Sequence, residues 1–161
     1  MNNIEINKPS PKFQDLSISP MHTAEHLLNA TMVRAFGCPR SRNAHIERKK
    51  SKCDYELDSC PTPKQIQQIE EKVNEEINRQ LPVTIEFMTH DQAKTLVDLS
   101  KLPDDASETL RIVRIGDYDA CACIGTHVAN TSEMGTFKIF SYDYDEDRKT
   151  LRLRFKLISS K

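Results

Sequence analysis

Residues 137–157 read FKIFSYDYDEDRKTLRLRFKL, and their pattern decides the fold class. Leu151, Leu153, Phe155 and Leu157 alternate with Arg152, Arg154 and Lys156. That period of two marks a strand with one buried face. The run before it is also strand-like, so the two form a predicted hairpin turning at Asp145–Lys149. Working back along the chain, ACACI (120–124), LRIVRIGD (110–117) and VTIEFMT (83–89) read as further strands. AHIERKKSKCDYELD (44–58) reads as two short strands around a basic turn.

Two helices interrupt the strands. The first is predicted from Pro20 to about Phe36, with Ser19 as its cap, Pro20 at its first position and Gly37-Cys38-Pro39 as its stop. Ala24, Leu27, Leu28, Thr31 and Ala35 recur along it at helical spacing. Thr62-Pro63 opens the second, on which Ile66, Ile69, Val73, Ile77 and Leu81 form one apolar stripe, with Glu70, Glu71, Glu75 and Glu76 elsewhere. Pro82 ends it. Residues 1–18 read as an arm or short leading strand, 90–98 as a short helix and 99–109 as a polar loop. The expectation is an α+β fold: a mainly antiparallel sheet packed against two principal helices, with an arm at 1–19 and a single domain over 20–161.

The 161 residues suit one domain with a real core. Lys and Arg number 23 against 24 Asp and Glu, which excludes a strongly basic coat but leaves room for a local basic patch. No apolar run approaches the ~18–20 residues of a membrane-spanning helix. The N-terminus lacks the basic start and apolar stretch of a secretory signal. Neither GxGxxG nor GxxxxGK[ST] is present, so nucleoside-triphosphate chemistry has no support. Five cysteines, an odd number, argue against a disulfide framework and for a reducing cytoplasm.

His22 and His26 sit four apart in the first predicted helix and so share a face. Cys123 and His127 form a CxxxH, with Gly125 between them to let the chain turn. Three imidazoles and a thiolate are good zinc ligands, and a helix packed on a sheet would bring the pairs together. Cys121 lies on the same strand face as Cys123, and either thiol could serve; the compact spacing to His127 favours Cys123. His22-Thr23-Ala24-Glu25-His26 also fits HxxEH, a zinc-peptidase signature with glutamate as base. That scheme needs a third acidic ligand, for which Glu70, Glu71, Glu75 and Glu76 are only generic candidates, and it gives CxxxH no role.

Three strings now converge on one family. RIVRIGDYDACACIGTHVANTSEMGTFKI (111–139) resembles the CGGTHV region of the alanyl-tRNA synthetase editing domain. MHTAEHLLNATMVRAFG (21–37) resembles its HxxxHLL helix, and TPKQIQQIEEKVNEEINRQLPV (62–83) the helix and strand between. The resemblance spans about residues 20–157 and includes only the editing module, so the sequence looks like a short free-standing alanyl-tRNA editing protein of the AlaX type. The editing domain of threonyl-tRNA synthetase is a more distant match. The resemblance implies zinc held by His22, His26, Cys123 and His127, and ATP-independent hydrolysis of mischarged tRNA, chiefly serine on alanine-specific tRNA, leaving glycine on the same tRNA open. Ile124 replaces the first glycine of CGGTH, Cys121 adds a thiol, and Glu25 replaces an apolar residue usual in that helix.

An editing site must read the serine hydroxyl and reject alanine. Thr23 and Thr126, each beside a ligand histidine, are the candidate readers. Arg40, Arg42, Arg48, Lys49, Lys50 and Lys52 form the densest basic cluster and are the expected tRNA contacts, with Arg152, Arg154 and Lys156 as a second stripe. The acidic YDYDED segment (142–147) should face away from phosphate. The competing reading is a zinc-stabilised RNA-binding module without catalysis.

Overall fold

The computed structural model describes residues 16–96 and 109–159. A 3-10 turn, Leu16–Ile18, runs into α1 (Ser19–Phe36). Then follow β1 (Asn43–His45), β2 (Ser51–Glu56), α2 (Pro63–Asn78), β3 (Val83–Thr89) and the one-turn α3 (His90–Ala93). β4 (Thr109–Ile115), β5 (Asp119–Ala122), a 3-10 turn at Thr131–Glu133, β6 (Thr136–Asp145) and β7 (Thr150–Ile158) complete the described chain. The expected arm lies mostly outside the described residues, as does most of the predicted 99–109 loop.

The strands are antiparallel, as expected, but they form two sheets rather than one. One has the order β1-β2-β7-β6, the other β3-β4-β5. β2 pairs with the last strand, across almost a hundred residues, so the split depends on long-range partners that local periodicity does not encode. The predicted hairpin is β6–β7, with Leu151, Leu153 and Phe155 fully buried on the inner face of the larger sheet. Against that face pack α1, through Met21, Ala24, Leu27 and Leu28, and the apolar stripe of α2. The outer face of the smaller sheet carries a second cluster, Ala93, Leu110 and Ile112. No helix among the described residues is long and apolar enough to cross a membrane.

Two helix ends behave as expected. Thr62 caps α2 in a reciprocal capping box with Gln65, and Gly37 ends α1 with a left-handed φ of 67°. Ser19 does not cap α1: the cap position is Ile18, without a side-chain bond. The reason is that the preceding 3-10 turn already has helical geometry, so the helix starts one residue earlier. The α2 glutamates are not all solvent-facing. Glu76 is buried against Lys72 and Arg79, and Glu70 accepts the Ile139 backbone N–H at 2.7 Å.

The segment that ends β5 is held at both ends. The Cys123 N–H donates to the Arg111 carbonyl on β4 at 3.0 Å. Six residues on, Ala129 accepts from Val83, and Thr131 donates to the Leu81 carbonyl. The buried Thr131 hydroxyl also accepts from Leu81 N and donates to Ile77 O at the end of α2. The loop 123–128 is thereby laid across the N-terminal half of α1, which brings both HxxxH and CxxxH to one place.

Candidate metal centre

His22 and His26 project from one face of α1 and are almost wholly buried, at 5% and 3% exposure. Cys123 and His127 approach from the loop after β5, and one ligand atom from each of the four residues lies within 4.8 Å of every other. Cys123 Sγ is 3.5 Å from His22 Nε2 and 3.5 Å from His127 Nε2. Zinc–sulfur bonds of ~2.3 Å and zinc–nitrogen bonds of ~2.0–2.1 Å at a tetrahedral angle place sulfur and nitrogen about 3.6 Å apart. Those two contacts suit ligands on one tetrahedral ion, and the four side chains together could hold a metal.

The outward nitrogens are fixed by the protein. His22 Nδ1 lies 3.1 Å from the Thr126 carbonyl, which can only accept, so Nδ1 carries the proton and Nε2 is left to coordinate. The Thr23 hydroxyl donates to Ser19 O at 3.0 Å and accepts from Val128 N at 3.2 Å, and it lies 3.0 Å from His127 Nδ1. With its own proton on Ser19, it accepts from His127 Nδ1–H, and Nε2 of that ring is again left free. His26 Nδ1 stands 3.5 Å from Asp119 Oδ2. Asp119 is gripped by both Arg40 guanidinium nitrogens, at 2.6 and 3.2 Å. A carboxylate behind a ligand histidine orients the ring and raises its basicity.

Charge follows the same arrangement. Burial alone would raise the Cys123 thiol, but the surrounding imidazoles, His26 foremost, hold it well below the ordinary thiol range. Burial and the neighbouring His26 push His127 down to about 3, so it is a neutral imidazole with a lone pair to give. Burial opposes ionisation of Asp119, yet His26 and Arg40 keep its carboxyl below the usual range. Burial opposes a charge on His26, but the Cys123 thiolate and Asp119 raise it well above the ordinary imidazole range, so a metal ion binding here would displace its proton.

The loop has two further supports. Arg111 Nη1 donates to the carbonyls of Cys123 and Gly125, each at 2.8 Å. The chain bends at Gly125, as expected, with a φ outside the left-handed region, and the residue also supplies space: any Cβ there would overlap the His22 imidazole. Glu25 Oε1 is 3.6 Å from His22 Nε2, at the rim of the cluster. Cys121 lies on β5 with its thiol toward Ala122 O at 3.4 Å and outside the four-residue group.

Of the other sequence-predicted residues, Thr23 and Thr126 both touch the ligand histidines, through hydroxyl and carbonyl respectively. The basic cluster divides. Arg40 turns inward to Asp119, because a buried carboxylate behind His26 needs a cation. Arg42 lines a small cavity of about 210 Å³ with Asp54 and Arg148. Arg48, Lys49, Lys50 and Lys52 line a separate cleft of about 700 Å³. In the second stripe Arg152 is paired with Asp54 and Arg154 with Asp143, which belongs to the acidic 142–147 segment. The acidic ligand required by the peptidase scheme is missing from the group: among the described residues, no glutamate of α2 joins it. Asp119 and Arg111 were missed by sequence reasoning. The alternation Asp119, Cys121, Cys123 on one strand face was a readable signal for the first; nothing local announced the second.

Residues 110–153 match the family model described as the threonyl and alanyl tRNA synthetase second additional domain. That span holds Cys123 and His127 but begins after both helix histidines. Curated relatives extend the likeness over a larger share of the chain. An alanine–tRNA ligase of Streptococcus thermophilus is 38% identical over 119 residues, 73% of this chain and 14% of that protein. One of Shouchella clausii is 35% identical over 127 residues, 78% of this chain and 14% of its own length. One of Acetivibrio thermocellus is 30% identical over 141 residues, covering 87% and 16%. The chain thus spans about a seventh of the length of the curated relatives it matches.

Proposed function

We propose that this chain, which carries the second additional domain of threonyl and alanyl tRNA synthetases and is related to alanine–tRNA ligases over most of its length, hydrolyses the ester of mischarged tRNA. The substrate proposed is chiefly alanine-specific tRNA carrying serine, in the cytoplasm and without ATP. The observation that carries the reading is the convergence of His22, His26, Cys123 and His127 within 4.8 Å, the latter two inside the segment that matches that family. A zinc ion held there would supply a positive centre for the polar groups around the scissile ester.

The chain's own residues do the rest. Thr126 O and Thr23 hold two ligand rings in the coordinating tautomer, and Asp119 with Arg40 holds the third. Asp119 is committed to Arg40, so Glu25 is the carboxylate placed to take the proton of an attacking water. Thr23 and Thr126 are the proposed readers of the serine hydroxyl. Thr23 would have to exchange one of its present bonds to do so. Arg42, Arg48, Lys49, Lys50 and Lys52 are proposed to hold phosphate.

Four protein ligands also suit a purely structural zinc, and this favours the second reading, an RNA-binding module without catalysis. Purified wild type, Glu25→Gln and Cys123→Ser proteins separate the two when zinc content and seryl ester hydrolysis are measured together. Editing predicts one zinc per chain and hydrolysis in the wild type, loss of both in Cys123→Ser, and zinc without hydrolysis in Glu25→Gln. Bound zinc with tRNA binding and no hydrolysis by the wild type establishes the module instead.

A further inference from the structure

The 700 Å³ cleft at the end of the larger sheet has a floor, a cationic wall and one aromatic side chain. The wall is Arg48, Lys49, Lys50 and Lys52 from the β1–β2 turn. Among the described residues, none of these four has a carboxylate within ion-pair distance. The carboxylate in the lining, Glu47, is engaged with His45 at 2.9 Å, and Arg154 across the cleft is shared with Asp143.

The aromatic side chain is Phe140. The β6–β7 register runs Ile139↔Phe155 and then Ser141↔Arg154, so Phe140 is the extra residue of a β-bulge. Phe137 and Ile139 point into the core, and Phe140, on the opposite face by ordinary alternation, is 39% exposed and lines the cleft. As the extra residue of the bulge it holds no position in the ladder. A phenyl ring on the outer face, with Lys156 Nζ 5.8 Å from its centroid, gains nothing for the core. An exposed aromatic ring in a cleft walled by cations that have no ion-pair partner among the described residues is the chemistry that takes an unstacked base with its phosphates.

The position fits the metal centre. Ile18 forms part of the cleft, and His22 stands four residues further along the same helical face. Four residues of helix are ~6 Å along the axis.

We infer that the cleft binds an unpaired nucleotide near the acylated end of the RNA, with its base stacked on Phe140 and its phosphates on Arg48, Lys49, Lys50 and Lys52. This rests on the tRNA reading for the identity of the strand, not for the chemistry of the cleft.

The test is binding of a short fluorescein-labelled single-stranded RNA ending in CCA, uncharged, to the full chain by fluorescence anisotropy across a salt series. Stacking on an aromatic side chain is worth ~1–3 kcal/mol per base, so Phe140→Ala should weaken binding about five- to 150-fold. Phe140→Leu, which keeps the apolar bulk, should weaken it in the same direction. Neither should change the salt slope, because no phosphate contact is removed. Lys49→Gln with Lys50→Gln should lower the slope by ~1.4, at ~0.7 per single-strand phosphate contact. Binding within twofold of wild type in both Phe140 variants, an unchanged slope in the lysine variant, or equal affinity for the same RNA as a blunt duplex would overturn the inference. Because the RNA carries no ester, a protein that binds it this way yet hydrolyses nothing defeats the editing reading and leaves this one standing. A protein that hydrolyses the ester with the cleft variants unaffected does the reverse.

Discussion

Asp119 stands behind the metal position rather than in it and still bears on it, because His26 Nδ1 faces its carboxylate at 3.5 Å and has no closer partner among the described residues. Asp119→Asn keeps the shape and removes the charge, and it should weaken zinc about 10–100-fold in a chelator competition, the usual loss for a partner behind a ligand. Thr23 offers a sharper separation of roles. If it only holds His127, Thr23→Val lowers zinc affinity and Thr23→Ser restores it, with serine-over-alanine preference following zinc content. If it reads the substrate, Thr23→Val loses that preference at full zinc occupancy. Gly125→Ala should cost zinc affinity by displacing the His22 ring, with the fold retained by circular dichroism. At this scale the sequence was informative where spacing is local: HxxxH and CxxxH could be read directly. It was silent where a partner comes from elsewhere, as with Arg40, whose inward role depends on Asp119, 79 residues away.

At the scale of elements, the open edge of β6 is protected by a helix rather than by a strand. Asn74 on α2 donates to Phe137 O at 2.9 Å and accepts from Phe137 N at 2.8 Å, while Glu70 accepts from Ile139 N. Asn74→Ala leaves two backbone groups unpaired and should cost ~1–3 kcal/mol in denaturant unfolding. The β2–β7 pair carries a pH signal. Hydrogen bonds from Arg152 outweigh partial burial and lower the Asp54 carboxyl in the folded state. A depressed folded value gives stability that is present above the unfolded value of ~3.9 and lost as pH falls through the folded one. The stability gap between wild type and Asp54→Asn should therefore be full near neutral pH and shrink in acid. Both elements were visible as periodic segments: the α2 stripe and the β7 alternation depend only on neighbours in sequence. The pairing of β2 with β7 depends on which apolar faces meet, so the two-sheet split was not visible.

Across the whole molecule, α1 and the loop at 123–127 are about a hundred residues apart in sequence and meet at the four ligands. Zinc bound there ties the first helix to the smaller sheet, and an ion that binds only the folded state stabilises it in proportion to its excess over Kd. Chelation should lower the thermal midpoint of wild type and leave His26→Ala unchanged, read by calorimetry with and without added zinc. The same site is expected to convert binding at one end of the chain into ester chemistry. The most direct measurement of that claim is the rate at which zinc-replete protein releases serine from alanine-specific tRNA, compared with release of alanine from the same tRNA. Editing predicts rapid loss of serine with alanine retained; no loss of serine from protein shown to hold zinc and bind that tRNA would contradict it.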